Sequence, residues 1–124
     1  MDKDLINSEL SLSDEFFHDA QLLFHENSIR SAESRLYYSI FHAVRALLYS
    51  RGLSSKTHKG TISLFGKEII GTNKIDYRYA KLLAKMFSLR EKADYEPIFS
   101  VDEEEVEFLI SEAEMFITEI KSII

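Results

Sequence analysis

The sequence predicts an all-α protein, an up-and-down four-helix bundle with one additional short helix. Only one proline and four glycines occur among its 124 residues, and so few helix breakers favour long helices over many short strands. Four segments repeat apolar residues every three or four positions, and none alternates convincingly with the two-residue period of a strand. Short connections between long helices favour antiparallel neighbours. We expect one domain over residues 1–124, with its core at about 13–120.

The first two helices are predicted on either side of a short break at residues 26–28. Helix one is expected to begin at Ser13, as its N-cap, or a turn or two earlier. Its apolar stripe comprises Phe16, Ala20, Leu23 and Phe24. Helix two is expected over residues 28–50, with Gly52 as its stop signal. Because so much of its surface is apolar, it is predicted to be the central helix; the apolar positions are Ile29, Ala32, Leu36, Tyr37, Ile40, Phe41, Ala43, Val44, Leu47 and Leu48.

Three further helices are predicted after a polar connection. A short helix at about residues 61–70 would bury Ile62, Phe65 and Ile69 and end at Gly71, Thr72 and Asn73. The next helix is expected to start at Asp76, as N-cap, and to stop near Tyr95, because Pro97 disfavours a helical residue before it. Ser100 and Glu103 suggest a capping box for the last helix. Its apolar face would be Val106, Leu109, Ile110, Ala113, Phe116, Ile117, Ile120 and Ile124.

Composition restricts the class of protein. The sequence has no cysteine, so neither a disulfide framework nor a thiolate metal site is available. Its first residues lack the basic and then apolar order of a signal peptide, and no apolar run approaches the ~20 residues of a membrane helix. We therefore expect a soluble cytoplasmic protein without a membrane role. The net charge of −6 argues against bulk nucleic-acid binding but allows a local basic face.

Arg90 is the most informative single residue. It falls within the apolar arc of its predicted helix, among Leu83, Met86 and Phe87, and Asp94 follows four residues later on the same face. A charge directed at a core is costly unless it is paired. Two interpretations remain open: an Arg–Asp clamp that fixes the helix register, or a site for a nucleotide or RNA phosphate.

Helix two carries a second stripe opposite its core face. Arg35, Tyr38, His42, Arg45 and Tyr49 are spaced alternately three and four residues apart. Aromatic residues that alternate with cationic groups suit base stacking and phosphate contact, and they equally suit a protein interface. The alternative is that the tyrosines cover the helix and the arginines are simply solvated.

Other polar groups give weaker signals. A basic edge of Arg78, Lys81, Lys85 and Lys92 flanks Arg90, and it is either a solvated face or a contact for an acidic partner or a phosphate backbone. Lys56, His58 and Lys59 precede a helix N-terminus, where amides attract anions, but they lack P-loop spacing. The histidines have no metal-ligand spacing, so we expect no metal and no cofactor.

Four segments together resemble the HEPN family (higher eukaryotes and prokaryotes nucleotide-binding), most closely its small free-standing prokaryotic branch. They are residues 37–48 (YYSIFHAVRALL), 51–53 (RGL), 56–60 (KTHKG) and 89–95 (LREKADY). The resemblance implies an up-and-down helical bundle that commonly forms homodimers. It also implies a frequent partnership with a minimal nucleotidyltransferase, often as a toxin–antitoxin pair.

Many HEPN proteins are metal-independent ribonucleases whose motif is an Arg followed, after four to six residues, by a His at the dimer cleft. Arg90 matches that arginine, but Tyr95 stands at the first position where the histidine is expected, and no histidine follows His58. A tyrosine stays protonated at neutral pH and is a poor general base. By family analogy, Arg90, Asp94 and Tyr95 would form the motif cluster, and Arg35, Tyr38, His42 and Arg45 would be the next contact residues.

Three functions therefore remain as hypotheses. The first is a HEPN-type module, a dimer that binds a minimal nucleotidyltransferase, a nucleotide or RNA with little or no catalysis. The second is a metal-independent ribonuclease toxin, in which Arg90 and Tyr95 would act. The third is a structural bundle that assembles with itself, because Phe108 and Met115 lie opposite the core face of the last helix.

Overall fold

The computed structural model describes residues 2–72 and 74–124, and within them all regular structure is helical. Five α-helices follow one another: α1 (Lys3–His25), α2 (Ile29–Ser50), α3 (His58–Leu64), α4 (Arg78–Tyr95) and α5 (Glu103–Ile123). After α3 the chain continues through a π-helical turn (Phe65–Ile69) and a 3₁₀ turn (Ile70–Thr72). The all-α prediction is confirmed. None of the described helices is long and apolar enough to cross a membrane.

Helix α2 is the centre of the bundle and packs against α1, α4 and α5. Contacts between distant residues give the directions of the helices. The start of α2 meets the end of α4, where the Arg30 guanidinium donates to the carbonyl of Ala93. Arg51, just after α2, donates to the carbonyl of Ile123 at the end of α5 (3.0 Å). Helix α4 is thus antiparallel to both α2 and α5. The contacts of Ser13 with Ser39 and of Glu9 with His42 show that α1 is antiparallel to α2, as predicted from the short connections.

One apolar cluster fills the space between these helices. The predicted central role of α2 is confirmed, because most of its apolar positions are buried in this cluster. From α5, six of the predicted face residues are buried, namely Val106, Leu109, Ala113, Phe116, Ile117 and Ile120. Ile124, the last predicted member of that face, is instead exposed.

Helix α1 begins about three turns before Ser13, and about one turn before the earliest start that we expected. Asp2 is its N-cap, and its carboxylate accepts the Leu5 amide (3.1 Å). Ser13 is not a cap: it is buried within the helix and donates to the carbonyl of Ser39 (2.7 Å). The expected start was wrong because the buried stripe continues through Ile6 and Glu9 toward the N-terminus.

Two other predicted caps were also wrong. Helix α5 has Asp102 as N-cap with no side-chain capping bond, so the capping box from Ser100 does not form. The N-cap of α4 is Tyr77, although the Asp76 carboxylate still accepts the amide of Arg78 (2.8 Å). Caps are short-range contacts, and a shift of one or two residues in the helix start removes them.

The short helix begins three residues before its predicted start. Thr57 is its N-cap, with the hydroxyl accepting the Gly60 amide (2.9 Å). A Cβ at position 60 would lie 2.0 Å from the hydroxyl of Ser55 and 2.8 Å from that of Thr57, so any larger residue would force these side chains to shift. The helical stretch then ends at Thr72, near the predicted stop, of which Asn73 lies outside the described residues.

Candidate functional site

Four helices bring aromatic rings and cations together on one side of α2. We call this group the aromatic cluster: Phe16 from α1, Tyr37, Tyr38, Phe41 and His42 from α2, His58 from α3, and Phe87 and Arg90 from α4. Neighbouring rings lie 4.2–6.2 Å apart between centroids. These are the spacings of favourable aromatic pairs, so the cluster holds its polar groups in fixed positions.

Arg90 points into this cluster, as its spacing in the sequence predicts, and its side chain is 14% exposed. One guanidinium nitrogen donates to the hydroxyl of Tyr38 (3.0 Å) and to the carboxylate of Asp94 (3.2 Å). The guanidinium carbon lies 5.3 Å, 5.5 Å and 5.6 Å from the ring centres of Tyr37, Tyr38 and Phe87. Arg90 Nε is buried without a hydrogen-bond partner. The guanidinium is therefore held by cation–π contacts while part of its donor capacity stays unused.

Glu33 is a second buried charge-bearing residue, which the sequence analysis did not identify. Its side chain is fully buried, and neither carboxylate oxygen has a hydrogen-bond partner. Burial, reinforced by the charge of Asp94, raises the pKa of Glu33 to about 8, although Arg90 acts in the opposite direction. At neutral pH this carboxyl is therefore mostly protonated. Its position, four residues after Ile29 and four before Tyr37 on the apolar face of α2, was the signal that could have revealed it.

His58 enters the cluster from the N-terminus of α3. Its Nδ1 lies 2.7 Å from the Tyr37 hydroxyl, and its ring stacks on Phe41 at 4.2 Å. Burial and the nearby positive charge of Arg90, followed by that of Arg45, lower the pKa of His58. Burial also raises the pKa of Tyr37, so its hydroxyl keeps its proton. The cluster thus contains a neutral imidazole that the chain order alone does not place near Arg90.

His42 is paired with a carboxylate from α1. Its Nδ1 lies 2.7 Å from Glu9 Oε2, and the Glu9 side chain is only 8% exposed. The same Glu9 oxygen lies 3.8 Å from Arg45 Nε, and Arg45 in turn donates to the hydroxyl of Tyr49 (2.6 Å). The predicted stripe of helix two is therefore a connected network. Glu9 escaped the sequence analysis because α1 was expected to begin near Ser13.

The other predicted contact residues lie around the cluster. Arg35 is exposed, with its guanidinium 5.6 Å from the Phe16 ring centre. Lys56 and Lys59 are exposed on either side of His58. Tyr95 is 78% exposed at the end of α4, and none of the side-chain hydrogen bonds found among the described residues involves it. The structure does not bring Tyr95 into the aromatic cluster.

The basic edge of α4 is mostly engaged elsewhere. Lys85 pairs with Glu105 (2.7 Å), Arg78 lies 4.0 Å from Glu112, and Lys81 lies over the ring of Tyr77. These contacts face α5 or lie at the start of α4. Among residues 2–72 and 74–124, no group of three or more His, Asp or Glu side chains is placed to hold a metal ion. The chemistry offered by the cluster is therefore that of guanidinium, imidazole, phenol and aromatic rings.

Comparison with known proteins agrees with these features. The sequence model of a family described as "HEPN domain" matches residues 9–123, which include every member of the aromatic cluster and Glu9. A Methanocaldococcus jannaschii protein named "Putative toxin MJ0605" is 38% identical over 116 residues, 94% of this chain and 86% of that protein. A "UPF0332 protein" of Thermotoga maritima is 36% identical over 110 residues, 89% of this chain and 83% of that protein. A second M. jannaschii protein, "Putative toxin MJ0142", is 34% identical over 90 residues, 73% of this chain and 61% of that protein. The chain therefore belongs to the HEPN domain family.

Proposed function

We propose that this protein is a toxin-like HEPN module that binds single-stranded RNA at the aromatic cluster. The observation that carries the proposal is the guanidinium of Arg90, held inside a wall of aromatic rings with its Nε unpaired. A buried donor without a partner costs stability. A phosphate would pair with the charge of the guanidinium where it reaches the surface, and adjacent rings would stack on bases, which is worth about 1–3 kcal/mol per base.

The extent of the cluster favours RNA over a single nucleotide. Arg35 and Arg45 lie ten residues apart on α2, which corresponds to about 15 Å along the helix. Tyr38 and His42 lie between them on the same stripe. Cations and rings distributed over this length suit successive phosphates and bases of one strand. Because the net charge of the chain is −6, we expect this binding to depend on the local face and to weaken strongly with salt.

Binding of a fluorescent single-stranded RNA, followed by anisotropy, tests the proposal. Arg90→Ala is expected to weaken affinity tenfold or more, and Arg90→Lys to restore little, because an ammonium lacks the planar fork of a guanidinium. Arg78→Ala is the matched control: the same residue type on the same helix, exposed and outside the cluster. If Arg90→Ala and Arg78→Ala bind RNA equally well, the cluster is not the RNA site.

We further propose that the protein acts in the cytoplasm as a homodimer whose partner is a minimal nucleotidyltransferase. The resemblance to HEPN toxin–antitoxin pairs supports the partner, and exposed apolar residues on α5 support self-association. Phe108 is 59% exposed and Met115 is 47% exposed. Sedimentation should show a dimer at micromolar concentration that Phe108→Ser together with Met115→Ser converts to monomer. A wild-type protein that is entirely monomeric would refute the dimer.

Metal-independent RNA cleavage is the second candidate, and a specific observation favours it. The late histidine of the family motif is replaced by Tyr95, but the fold places His42 and His58 in the same cluster as Arg90. Imidazoles are the usual acid–base groups of catalysis near neutral pH. Cleavage in the presence of EDTA, absent in Arg90→Ala, would establish this activity.

A further inference from the structure

We propose that His42, oriented by Glu9, is the general base with which this site cleaves RNA. This assignment rests on the proposed binding of RNA at the aromatic cluster. It places the acid–base group of the site on α2 and its orienting carboxylate on α1, rather than on the segment that follows Arg90.

The hydrogen bond between the two side chains decides which nitrogen of His42 is basic. An ionised carboxylate only accepts hydrogen bonds, so when Glu9 is ionised the His42 Nδ1 atom, 2.7 Å from Glu9 Oε2, carries the proton and donates it. In the neutral ring the lone pair then lies on Nε2. A carboxylate that fixes the tautomer of an imidazole in this way is the arrangement found in enzymes with an activated base.

The orientation of the His42 ring is fixed from three sides. Phe16 of α1 stacks on it at 5.5 Å with an interplanar angle of 20°, and the ring of Phe41 meets it edge-on at 5.5 Å. The Ser13–Ser39 hydrogen bond joins α1 to α2 close by, so the element that carries Glu9 is itself held in register. A general base must be positioned before its proton affinity matters, and the contacts with Phe16, Phe41 and Glu9 hold the His42 ring in one orientation.

The charged and titratable groups nearest His42 come from α1, α2 and α3. Glu9 pairs with His42 and also lies beside Arg45, and His58 stacks on the Phe41 ring that meets His42. The charges of Arg90 and His42 both act on His58. Phe16 touches both Tyr38, which binds Arg90, and His42. A strand whose phosphate is held by Arg90 and whose bases stack on these rings would therefore pass beside His42.

The reaction needs neither a metal nor a redox partner. His42 Nε2 removes the proton of a ribose 2′-hydroxyl, and the resulting oxygen attacks the adjacent phosphorus. The bond from phosphorus to the 5′-oxygen breaks, and that oxygen takes a proton from water. The hydroxide left behind is neutralised by the proton that His42 releases. The products are a 2′,3′-cyclic phosphate and a 5′-hydroxyl, and Arg90 stabilises the added negative charge of the phosphorane.

The alternative is that the Glu9–His42 pair only joins α1 to α2 and takes no part in cleavage. The following experiment distinguishes this structural role from that of a general base. We would measure cleavage of an end-labelled RNA in EDTA by wild type, His42→Gln, Glu9→Gln and the control His18→Gln, an exposed position of α1. Affinity would be measured in parallel with a fully 2′-deoxy strand, which cannot react. Circular dichroism and thermal melting would report whether each variant is folded.

Removing a general base lowers a rate by about 100-fold to 10,000-fold. We therefore expect His42→Gln to lose at least about 100-fold in kcat while its affinity for the unreactive strand stays within about twofold. Glu9→Gln should lower kcat and change the pH–rate profile. If the pair only joined α1 to α2, the pH–rate profile would not change. His18→Gln should behave as wild type.

Two outcomes would overturn the assignment: wild type that binds the strand but does not cleave RNA, or His42→Gln that cleaves at the wild-type rate. If wild type does not bind the strand at all, it is the proposed RNA binding that fails. Should His42→Gln not fold, the wild-type pH–rate profile decides, since a general base requires the rate to rise with pH through one ionisation and a flat profile excludes it.

Discussion

The two ends of α4 carry the same arrangement in two different environments. Near its start, Arg78 donates to the hydroxyl of Tyr79 (2.6 Å) and lies over that tyrosine's ring at 4.6 Å. Near its end, Arg90 donates to the hydroxyl of Tyr38 (3.0 Å) and lies over three aromatic rings at somewhat longer distances, 5.3 Å, 5.5 Å and 5.6 Å. Yet the Arg78 side chain is 50% exposed, whereas that of Arg90 is 14% exposed.

The difference shows that the surroundings of an arginine, more than its immediate partners, make it a candidate for binding. At the Arg78 end, Tyr79 stacks on the buried Phe116 and the guanidinium extends into solvent. At the Arg90 end, the guanidinium lies over the rings of Tyr37, Tyr38 and Phe87, and its side chain is mostly buried. Electrostatic interactions are stronger where water is excluded, which is why we propose the Arg90 end as the site for an anionic ligand.

The largest expected effect lies at the Arg78 end and concerns stability alone. Phe116 is fully buried and stacks on Tyr79 with centroids 4.6 Å apart. Phe116→Ala should reduce the free energy of unfolding by about 3–5 kcal/mol, because a large cavity replaces the ring. Denaturant titration measures the loss, and the RNA affinity of the folded fraction should not change. A loss below about 1 kcal/mol would show that this end is not tightly packed.

At the Arg90 end, Glu33 should make stability depend on pH. Its pKa of about 8 in the folded state lies above the ordinary value of 4.5, so between these values the folded state retains a proton that the unfolded state loses. The free energy of unfolding should therefore fall as pH rises from 4.5 to 8. At pH 7 the free energy of unfolding should be lower by on the order of 3 kcal/mol than it would be if Glu33 had the same pKa in both states.

Glu33→Gln should remove that dependence and stabilise the protein at pH 7, with a gain that shrinks toward pH 5. The groups that act on Glu33 are Asp94, Arg90 and Glu105, so the same titration also reports on the neighbours of Arg90. Glu114→Gln, at an exposed position of α5, is the control. If the free energy of unfolding changed with pH in the same way in wild type and Glu33→Gln, this would contradict the burial of an unpaired carboxyl at position 33.

The smallest expected effect is a direct comparison of the two tyrosine hydroxyls. Tyr38→Phe removes the acceptor for the mostly buried Arg90 and should cost about 1 kcal/mol of unfolding free energy. Tyr79→Phe removes the acceptor for the exposed Arg78, and water replaces it, so the cost should stay below about 0.5 kcal/mol. Thermal melting of the two variants measures the difference. Equal costs would mean that the two ends of α4 do not differ in their access to water.

Much of the helical framework could be predicted from the spacing of apolar residues. The bounds of α2 and the end of α4 follow from periodicity, Gly52 and Pro97, and Gly52 has the positive φ of 73° that its stop role requires. The start of α1 could not be placed from the sequence. Before Ser13 the buried stripe of this helix consists of only two residues, Ile6 and Glu9, which are too few to show a period. That error concealed the carboxylate that pairs with His42.

The resemblance of four segments indicated the HEPN family, and apolar periodicity by itself determined that the chain is helical and that Arg90 points inward with Asp94 beside it. The helices and the direction of Arg90 depend on contacts within one helix, where a fixed rotation per residue relates position to direction. Only the tertiary structure decided that His58 and Glu9 join the site and that Tyr95 stays outside it. Such contacts join residues far apart in the chain, and their distances depend on how the helices pack, which helical periodicity does not specify.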